Sequence, residues 1–352
     1  MQEDKAPDAV WGSGRRWWAL SPVWKARREI GRDDGPLEEP IGGWLTDELV
    51  IRADFDRLRA YDPATGAVRW TWQVPGRDVL VAASRTTTDG TALVAHHDDG
   101  SYGSPVTVAA VDLGTGERLW STTHRDRHDS GLAPRDFTDR CPAALLSGRR
   151  IASVSDERLR SVDPKTGVDH WSRPLPAGAE DLDLWVASAD PFVVVGKGRG
   201  RRGEWRVFVL DDRGEETASF VLSVPYDKIR TPATVVDGML VAQLAHPKDS
   251  GDATSSDYDG LRIGGFDLST GELRWEWRPG RIDSVLPHRG RLLLLHSYGH
   301  RIAVLDARDG RVIARRKLRG SHLSAVLAMA GDRFAVLGRG GDTTPLRVFH
   351  WR

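Results

Sequence analysis

The chain has 352 residues, and its 50 Lys plus Arg balance its 50 Asp plus Glu, so the formal net charge at pH 7 is zero. This balance argues against nucleic-acid binding through bulk electrostatics. No apolar run reaches the roughly 18 residues that a membrane-spanning helix needs, so we expect no transmembrane segment.

The first residues, MQEDKAPDAV, lack the basic and apolar regions of a signal peptide. If Met1 is the native start, the protein is cytoplasmic. The other interpretation is an exported domain whose signal has been removed. The single cysteine, Cys141, fits either compartment because it cannot form an internal disulfide. We expect residues 1–12 to be flexible.

One sequence motif, an Asp followed by a Thr-Gly turn and a Trp, recurs along the chain. It reads YDPATGAVRW at 61–70, VDLGTGERLW at 111–120, VDPKTGVDHW at 162–171 and FDLSTGELRW at 266–275, with weaker copies at 210–219 and 305–314. The anchoring aspartates are Asp62, Asp112, Asp163, Asp211, Asp267 and Asp306. A period of roughly 48 residues indicates a propeller or a solenoid.

Each copy predicts a β-hairpin. The Asp supplies a side-chain acceptor for the turn, and the Gly supplies a positive φ. The glycines are Gly66, Gly116, Gly167 and Gly271, and the tryptophans that follow them are Trp70, Trp120, Trp171 and Trp275. A ring of that size at one position per repeat favours packing between adjacent sheets over a binding role.

Two further strand-like runs precede each hairpin, for example ELVIRA at 48–53, ALVAHH at 92–97, FVVVGK at 192–197 and RLLLLH at 291–296. Four short strands per repeat are typical of a propeller blade, and no segment shows sustained helical periodicity. The chain therefore predicts an all-β fold with one domain over residues 1–352.

The two ends predict how the ring closes. The last repeat stops at LRVFHWR, 346–352, without a turn or a final strand, whereas Gly14 and Trp18 have the spacing of Gly116 and Trp120. We therefore expect residues 14–20 to be the closing strand of the last blade. Six complete blades and one shared blade make a seven-bladed β-propeller of four-stranded blades, and such closure removes free sheet edges.

At these residues the chain resembles the pyrroloquinoline-quinone-like β-propeller repeat family, whose motif reads roughly Ala-x-Asp-x-x-Thr-Gly-x-x-x-Trp. Ala60, Asp62, Thr65, Gly66 and Trp70 match all of it. The chain departs from the motif at Ala218 and Ala314, which replace Trp, and at His350, which replaces Asp. We expect the blade junctions at these positions to pack differently.

The resemblance implies a cell-envelope location and the fold of envelope scaffold proteins. It does not imply a quinone cofactor. The quinoprotein dehydrogenases of similar repeats often use a disulfide of adjacent cysteines, which a chain with Cys141 alone cannot form. We expect no cofactor and no quinoprotein dehydrogenase activity.

Three loops are long and are expected to share one face, because the loop after the second strand of every blade lies on the same side of a propeller. They are residues 96–105, 197–204 and 246–260. Insertions on one face of a repeat array often mark its binding surface. The candidate binding residues are Asp98, Asp99, Lys197, Arg199, Arg201, Arg202, Asp252 and Asp257. Separate acidic and basic sectors suit a protein partner better than a polyanion.

Metal and catalytic sites are weakly indicated. On a strand only His96 with Asp98, or His97 with Asp99, would converge, so we expect no metal site. His124, Asp126 and His128 would share one side of an extended segment, but a hydrophilic loop between blades explains them as well. The sequence contains no Gly-x-Ser-x-Gly, His-Glu-x-x-His or Walker motif, so we expect no catalytic residue.

The sequence therefore favours a non-enzymatic scaffold that binds a protein or peptide through the loop-bearing face. The alternative is an enzyme or small-ligand sensor with a site at the mouth of the central channel. A purely structural subunit is a third hypothesis, and the oligomeric state stays open.

Overall fold

A computed structural model describes seventeen segments of the chain, and all regular structure in them is β-strand. The described residues are 24–26, 42–76, 78–84, 86–98, 106–124, 145–147, 150–155, 158–180, 182–198, 204–222, 228–245, 262–278, 282–296, 301–317, 325–330, 333–338 and 346–350. The all-β propeller expected from the repeats is confirmed.

Six blades are each built from four consecutive strands. Blade 1 contains β2 (Gly42–Leu45), β3 (Val50–Ala53), β4 (Arg57–Tyr61) and β5 (Val68–Gln73). Blade 2 contains β6 (Asp78–Ala83), β7 (Thr91–Asp98), β8 (Val106–Asp112) and β9 (Arg118–His124). Blade 3 contains β10 (Leu145–Ser147), β11 (Arg150–Ser155), β12 (Arg158–Val162) and β13 (Asp169–Pro174).

The next three blades follow the same plan. Blade 4 contains β14 (Leu182–Ala189), β15 (Phe192–Gly198), β16 (Trp205–Leu210) and β17 (Glu216–Val221). Blade 5 contains β18 (Lys228–Val236), β19 (Met239–Ala245), β20 (Arg262–Asp267) and β21 (Leu273–Trp277). Blade 6 contains β22 (Ile282–His288), β23 (Arg291–His296), β24 (Arg301–Asp306) and β25 (Val312–Lys317).

A further sheet is composite. It contains β1 (Trp24–Ala26) from the N-terminal part of the chain, and β26 (Ala325–Ala330), β27 (Arg333–Gly338) and β28 (Leu346–His350) from the C-terminal part. Its order is β1-β28-β27-β26, so the described strands form seven four-stranded antiparallel sheets in all. The first strands of neighbouring sheets contact each other in the succession β10, β14, β18, β22, β26, β2 and β6. First strands therefore surround the axis, and fourth strands lie at the rim.

The prediction of seven blades with the last closed by residues 14–20 was wrong: six blades are built from consecutive strands, and the last sheet is composite and completed differently. Residues 14–20 were expected to form the closing strand, but they lie outside the described residues, and the strand paired with β28 is the three-residue β1. The last sheet is thus not a regular blade like the other six. Its outer strand is much shorter than the seven-residue β9 of blade 2.

The register of β1 explains the error. Trp24 is opposite Val348, two residues before His350, just as Trp70 is opposite Ala60, two residues before Asp62. Trp24 therefore occupies the motif position that the spacing assigned to Trp18. No Gly precedes Trp24 by four residues, so the motif gave no signal there.

The repeated Asp organises the turn between the third and fourth strands of each blade. In blade 2, Oδ1 of Asp112 accepts hydrogen bonds from the N–H groups of Gly114 and Thr115, at 2.8 and 3.1 Å. Gly116 then adopts a φ of +78°, which L side chains disfavour. The same arrangement recurs at Asp62, Asp163, Asp211 and, through Ser269, Asp267.

The motif Trp of one blade lies against the turn Gly of the next. A Cβ on Gly116 would be 2.6 Å from Cε3 of Trp70, and Gly167, Gly214 and Gly310 are as close to Trp120, Trp171 and Trp275. Only a glycine fits so close to an indole. These contacts, with mixed clusters such as Trp44 and Ile51 of blade 1 against Leu80 and Val111 of blade 2, place the core between neighbouring blades.

Blade 4, which has Ala218 at the Trp position, packs differently. Phe220, two residues further along β17, lies on the next turn, and a Cβ on Gly271 would be 2.5 Å from its Cδ2. The smaller ring of Phe220, two residues beyond the Trp position, therefore makes the contact with the turn Gly of the next blade. The side chains at positions 218 and 220 share a face because the strand period is two.

Candidate functional site: the loop-bearing face

The three long loops connect second strands to third strands. Residues 99–105 follow β7, residues 199–204 follow β15 and residues 246–261 follow β19. The turns that the repeated Asp organises, called Asx turns below, join third strands to fourth strands instead. Since strands alternate in direction within each antiparallel blade, the loop attachments lie on one face of the ring and the Asx turns on the other.

Only two of the eight candidate residues lie in described strands. Asp98 ends β7, where it is opposite Asp78 of β6. Lys197 lies near the end of β15, opposite Asp183 and Trp205. Asp99, Arg199, Arg201, Arg202, Asp252 and Asp257 lie outside the described residues, as do the candidate residues Asp126 and His128. His124 ends β9.

Lys197 lies over an aromatic ring at this face. Its Nζ is 5.7 Å from the ring centroid of Trp205, and Trp205 packs edge-on against Trp185 of β14 with centroids 5.2 Å apart. A cation over an indole face is attracted by the ring quadrupole. The basic loop therefore starts from a lysine that lies over the buried Trp205, which packs against the partly buried Trp185.

A buried His–Asp pair lies at the same face in blade 2. Nδ1 of His96 is 2.5 Å from Oδ2 of Asp78, and the imidazole meets Trp72 of blade 1 edge-on, with centroids 6.2 Å apart. His96 is 3 % exposed. Its Nε2 has no hydrogen-bond partner among the described residues. The pair joins the first two strands of blade 2 and packs against blade 1.

On its own strand His96 was expected to converge at most with Asp98, whereas in the structure its partner is Asp78. Asp78 comes from the neighbouring strand β6, opposite the end of β7. Cross-strand register decides this contact, and no local spacing in the sequence signals it.

Arginines near the start of third strands form ion pairs at this face. Arg206 of blade 4 contacts Glu204 at 3.1 Å, and Arg262 of blade 5 contacts Glu276 at 2.8 Å. In blade 1, the hydrogen bond from Arg57 lowers the pKa of Asp56. Much of the charge at the described strand ends is therefore locally balanced.

The described part of the face shows no catalytic constellation. Across the described segments, no three or more His, Cys, Asp or Glu side chains group in a way that would hold a metal ion. His96 contacts a carboxylate and an aromatic ring rather than a nucleophile. The described segments also contain no helix long and apolar enough to cross a membrane.

A family model described as outer membrane protein assembly factor BamB matches residues 8–245. No curated protein matches the chain.

Solved structures match over most of the chain. The crystal structure of BamB from Moraxella catarrhalis is 17 % identical, covers 94 % of this chain and 99 % of its own, and has a TM-score of 0.53. A chain of the mitotic checkpoint complex is 10 % identical, with 94 % of both chains covered and a TM-score of 0.56. At these identities the likeness shows the fold alone.

Proposed function

The chain belongs to the family described as outer membrane protein assembly factor BamB, and we propose that it is a non-enzymatic scaffold that binds a protein or peptide through its loop-bearing face. The observation that carries the proposal is the attachment of the three long loops, 99–105, 199–204 and 246–261, to second strands of blades 2, 4 and 5. A face that carries all the long insertions of a regular ring is where a partner contact is expected.

The charges on these loops favour a protein partner. Asp98 and Asp99 make the blade 2 sector acidic, Arg199, Arg201 and Arg202 make the blade 4 sector basic, and the blade 5 sector carries Asp252 and Asp257. A surface with alternating charge sectors fixes the orientation of a partner with complementary sectors. A uniform polyanion would meet repulsion at two of the three loops.

The test is a comparison of three proteins by crosslinking and mass spectrometry in extract of the source organism. They are the unmodified chain, a loop variant with Asp98, Asp99, Arg201 and Arg202 replaced by Ala, and a matched variant on the Asx-turn face. In the matched variant, Ala replaces two exposed acidic and two exposed basic residues, namely Glu117, Asp309, Arg118 and Arg311.

A partner that crosslinks to the unmodified chain and the Asx-turn variant but not to the loop variant supports the proposal, and its affinity is then measured with purified proteins. Equal crosslinking to all three would place the contact elsewhere. Turnover of a small molecule bound at the channel mouth, unaffected by the loop variant, would replace the scaffold with the enzyme hypothesis.

A further inference from the structure

Three exposed cations share one face of the outer half of blade 6. Lys317 of β25 is opposite Arg301 of β24, and Arg315 lies two residues before Lys317, on the same side of the strand. All three side chains are exposed. Directly opposed residues have Cβ atoms about 5 Å apart, and next neighbours along a strand about 7 Å, so three positive charges converge on a small area.

No carboxylate compensates these charges within the described residues. Three arginines at or near the equivalent position of other blades have a carboxylate partner, whereas Arg158 of blade 3 donates hydrogen bonds to Ser172. Arg57 contacts Asp56, Arg206 contacts Glu204 and Arg262 contacts Glu276. Among the ion pairs of the described segments, none includes Arg301, Arg315 or Lys317.

The outer strands of blades 1 to 5 do not repeat the charges of β25. The two positions equivalent to Arg315 and Lys317 hold Thr71 and Gln73, Ser121 and Thr123, Ser172 and Pro174, Ser219 and Val221, and Glu276 and Arg278 in blades 1 to 5. Four pairs are uncharged and the fifth is balanced. The two cations of β25 are thus absent from blades 1 to 5 and are not a requirement of the fold, although Lys25 of the composite sheet follows Trp24 as Arg315 follows Ala314.

Such an arrangement destabilises the isolated chain, because like charges directly opposed across a sheet repel each other. Arg315 is also held in place, since its Cζ lies 5.8 Å from the ring centroid of Trp277 of blade 5. A cluster that costs stability and is oriented by an aromatic ring has the properties of a binding site for negative charge.

The strand that carries the cluster is an edge. In the described segments β25 is the last strand of the order β22-β23-β24-β25, so one side of its backbone has no strand partner there. Ile313 is 36 % exposed and lies on the same side of β25 as Arg315 and Lys317. The edge thus presents one apolar and two cationic side chains at alternate positions.

We propose that β25 binds an extended acidic peptide segment of a partner protein, which adds to blade 6 as a fifth strand. Carboxylates at alternate positions of the peptide lie opposite Lys317 and Arg315, and an apolar side chain lies opposite Ile313. Backbone hydrogen bonds to the edge supply affinity, and the alternating side chains supply specificity.

The edge and Ile313 favour a peptide over a lipid surface or a nucleic acid. A headgroup or a phosphate would use the cations but neither the backbone edge nor the apolar side chain. The cluster belongs to blade 6, whereas the three long loops belong to blades 2, 4 and 5, so the proposal does not depend on the function proposed above.

The probe is the fluorescein-labelled peptide Thr-Asp-Thr-Asp-Thr-Ile-Thr, used with its reversed sequence so that both strand directions are sampled. A peptide of the same composition with adjacent aspartates is the charge control. Binding to the full chain is measured by fluorescence anisotropy at low and moderate salt. We expect the alternating peptide to bind at least about tenfold more tightly than the control peptide.

The protein variant is Arg315→Glu with Lys317→Glu, and its matched control is Ser121→Glu with Thr123→Glu at the equivalent positions of blade 2. Circular dichroism and the melting temperature verify that both fold. The blade 6 variant loses at least about tenfold in affinity, whereas the blade 2 variant binds as the unmodified chain does.

Two peptides with N-methyl groups on opposite alternate sets of amides test strand addition directly. Binding should be abolished only in the peptide whose N-methylated amides would face β25. Equal binding of all peptides, or of both N-methylated peptides, would overturn the strand-addition proposal. Binding of phosphatidylglycerol vesicles or duplex DNA without peptide binding would overturn the choice of a peptide.

Discussion

The indole Nε1 of Trp171 donates a hydrogen bond to the main-chain carbonyl oxygen of Asp212, at 2.9 Å, and the two residues belong to neighbouring blades. Trp120 and Trp275 make the same type of contact, with the carbonyl oxygens of Pro164 and Ala307. These three tryptophans thus join adjacent blades by ring packing on a Gly and by a hydrogen bond to the same turn, whereas Trp70 makes the ring contact and its Nε1 has no hydrogen-bond partner among the described residues.

Gly310→Ala should destabilise the protein far more than Gly238→Ala. Both glycines have a positive φ, +69° and +73°, but a Cβ at Gly310 would lie 2.6 Å from Trp275, whereas none of the described atoms lies within 4 Å of one at Gly238. We expect about 1 kcal/mol for Gly238→Ala from backbone strain alone, and about 3 kcal/mol for Gly310→Ala. Urea denaturation measures both.

A double-mutant cycle tests whether the indole of Trp275 causes the larger loss of stability in Gly310→Ala. In a Trp275→Ala background, which itself costs about 3–5 kcal/mol, the penalty of Gly310→Ala should fall to that of Gly238→Ala. An unchanged penalty would show that the indole is not what excludes a side chain at Gly310.

The Asx turns should make the fold sensitive to acid. Hydrogen bonds from Ser269, with that of Arg274, lower the pKa of Asp267 from 3.8 to about 2, and the pKa values of Asp62, Asp112 and Asp163 are also lowered. A folded-state pKa below the unfolded value gives a stabilisation that is complete above about pH 4 and is lost as the pH falls through 3.8 towards 2.

The measurement is the urea midpoint of the unmodified chain and of Asp267→Asn between pH 6 and pH 2. The Asn retains a side-chain acceptor for the turn but cannot titrate, so the difference between the two proteins should shrink below pH 4. A difference that stays constant over this range would refute the contribution of Asp267.

Arg289→Asn should stabilise the protein by about 0.5–1 kcal/mol. Arg289 has a φ of +47° in the two-residue turn between β22 and β23, next to Gly290. Both central residues of such a turn need a positive φ, which Asn tolerates better than Arg. Thermal unfolding measures the gain, and a loss of stability would show that the Arg289 side chain makes a contact worth more than the strain.

The same substitution should raise the pKa of His288. Burial lowers this pKa, and the positive charges of Arg289 and Arg291 lower it further. NMR titration of the imidazole checks the direction, and Arg291→Gln, on the other side of the turn, should raise the same pKa.

Removal of residues 1–27 should destabilise the protein more than removal of residues 1–20. The longer deletion removes β1, whose three residues pair with β28, whereas the shorter one leaves it. Loss of this ladder and exposure of the edge should cost about 2–3 kcal/mol at about 1 kcal/mol per hydrogen bond. Equal melting temperatures of the two truncated proteins would contradict the role of Trp24–Ala26.

The sequence by itself determined the local structure of the repeat. An Asp that caps a turn and a Gly with positive φ act within a few residues of each other, so their spacing alone predicted the hairpins and the all-β ring. The recurrence of Trp70, Trp120, Trp171 and Trp275 at one position predicted packing between sheets.

The tertiary structure decided which distant residues meet. The closing strand at Trp24–Ala26, the replacement of the missing Trp of blade 4 by Phe220, the pairing of His96 with Asp78 and the uncompensated cations of blade 6 all depend on cross-strand register or on contacts between blades. A turn is encoded in four or five neighbouring residues. A contact between strands or blades depends on how the whole ring packs, and no local pattern in the chain specifies it.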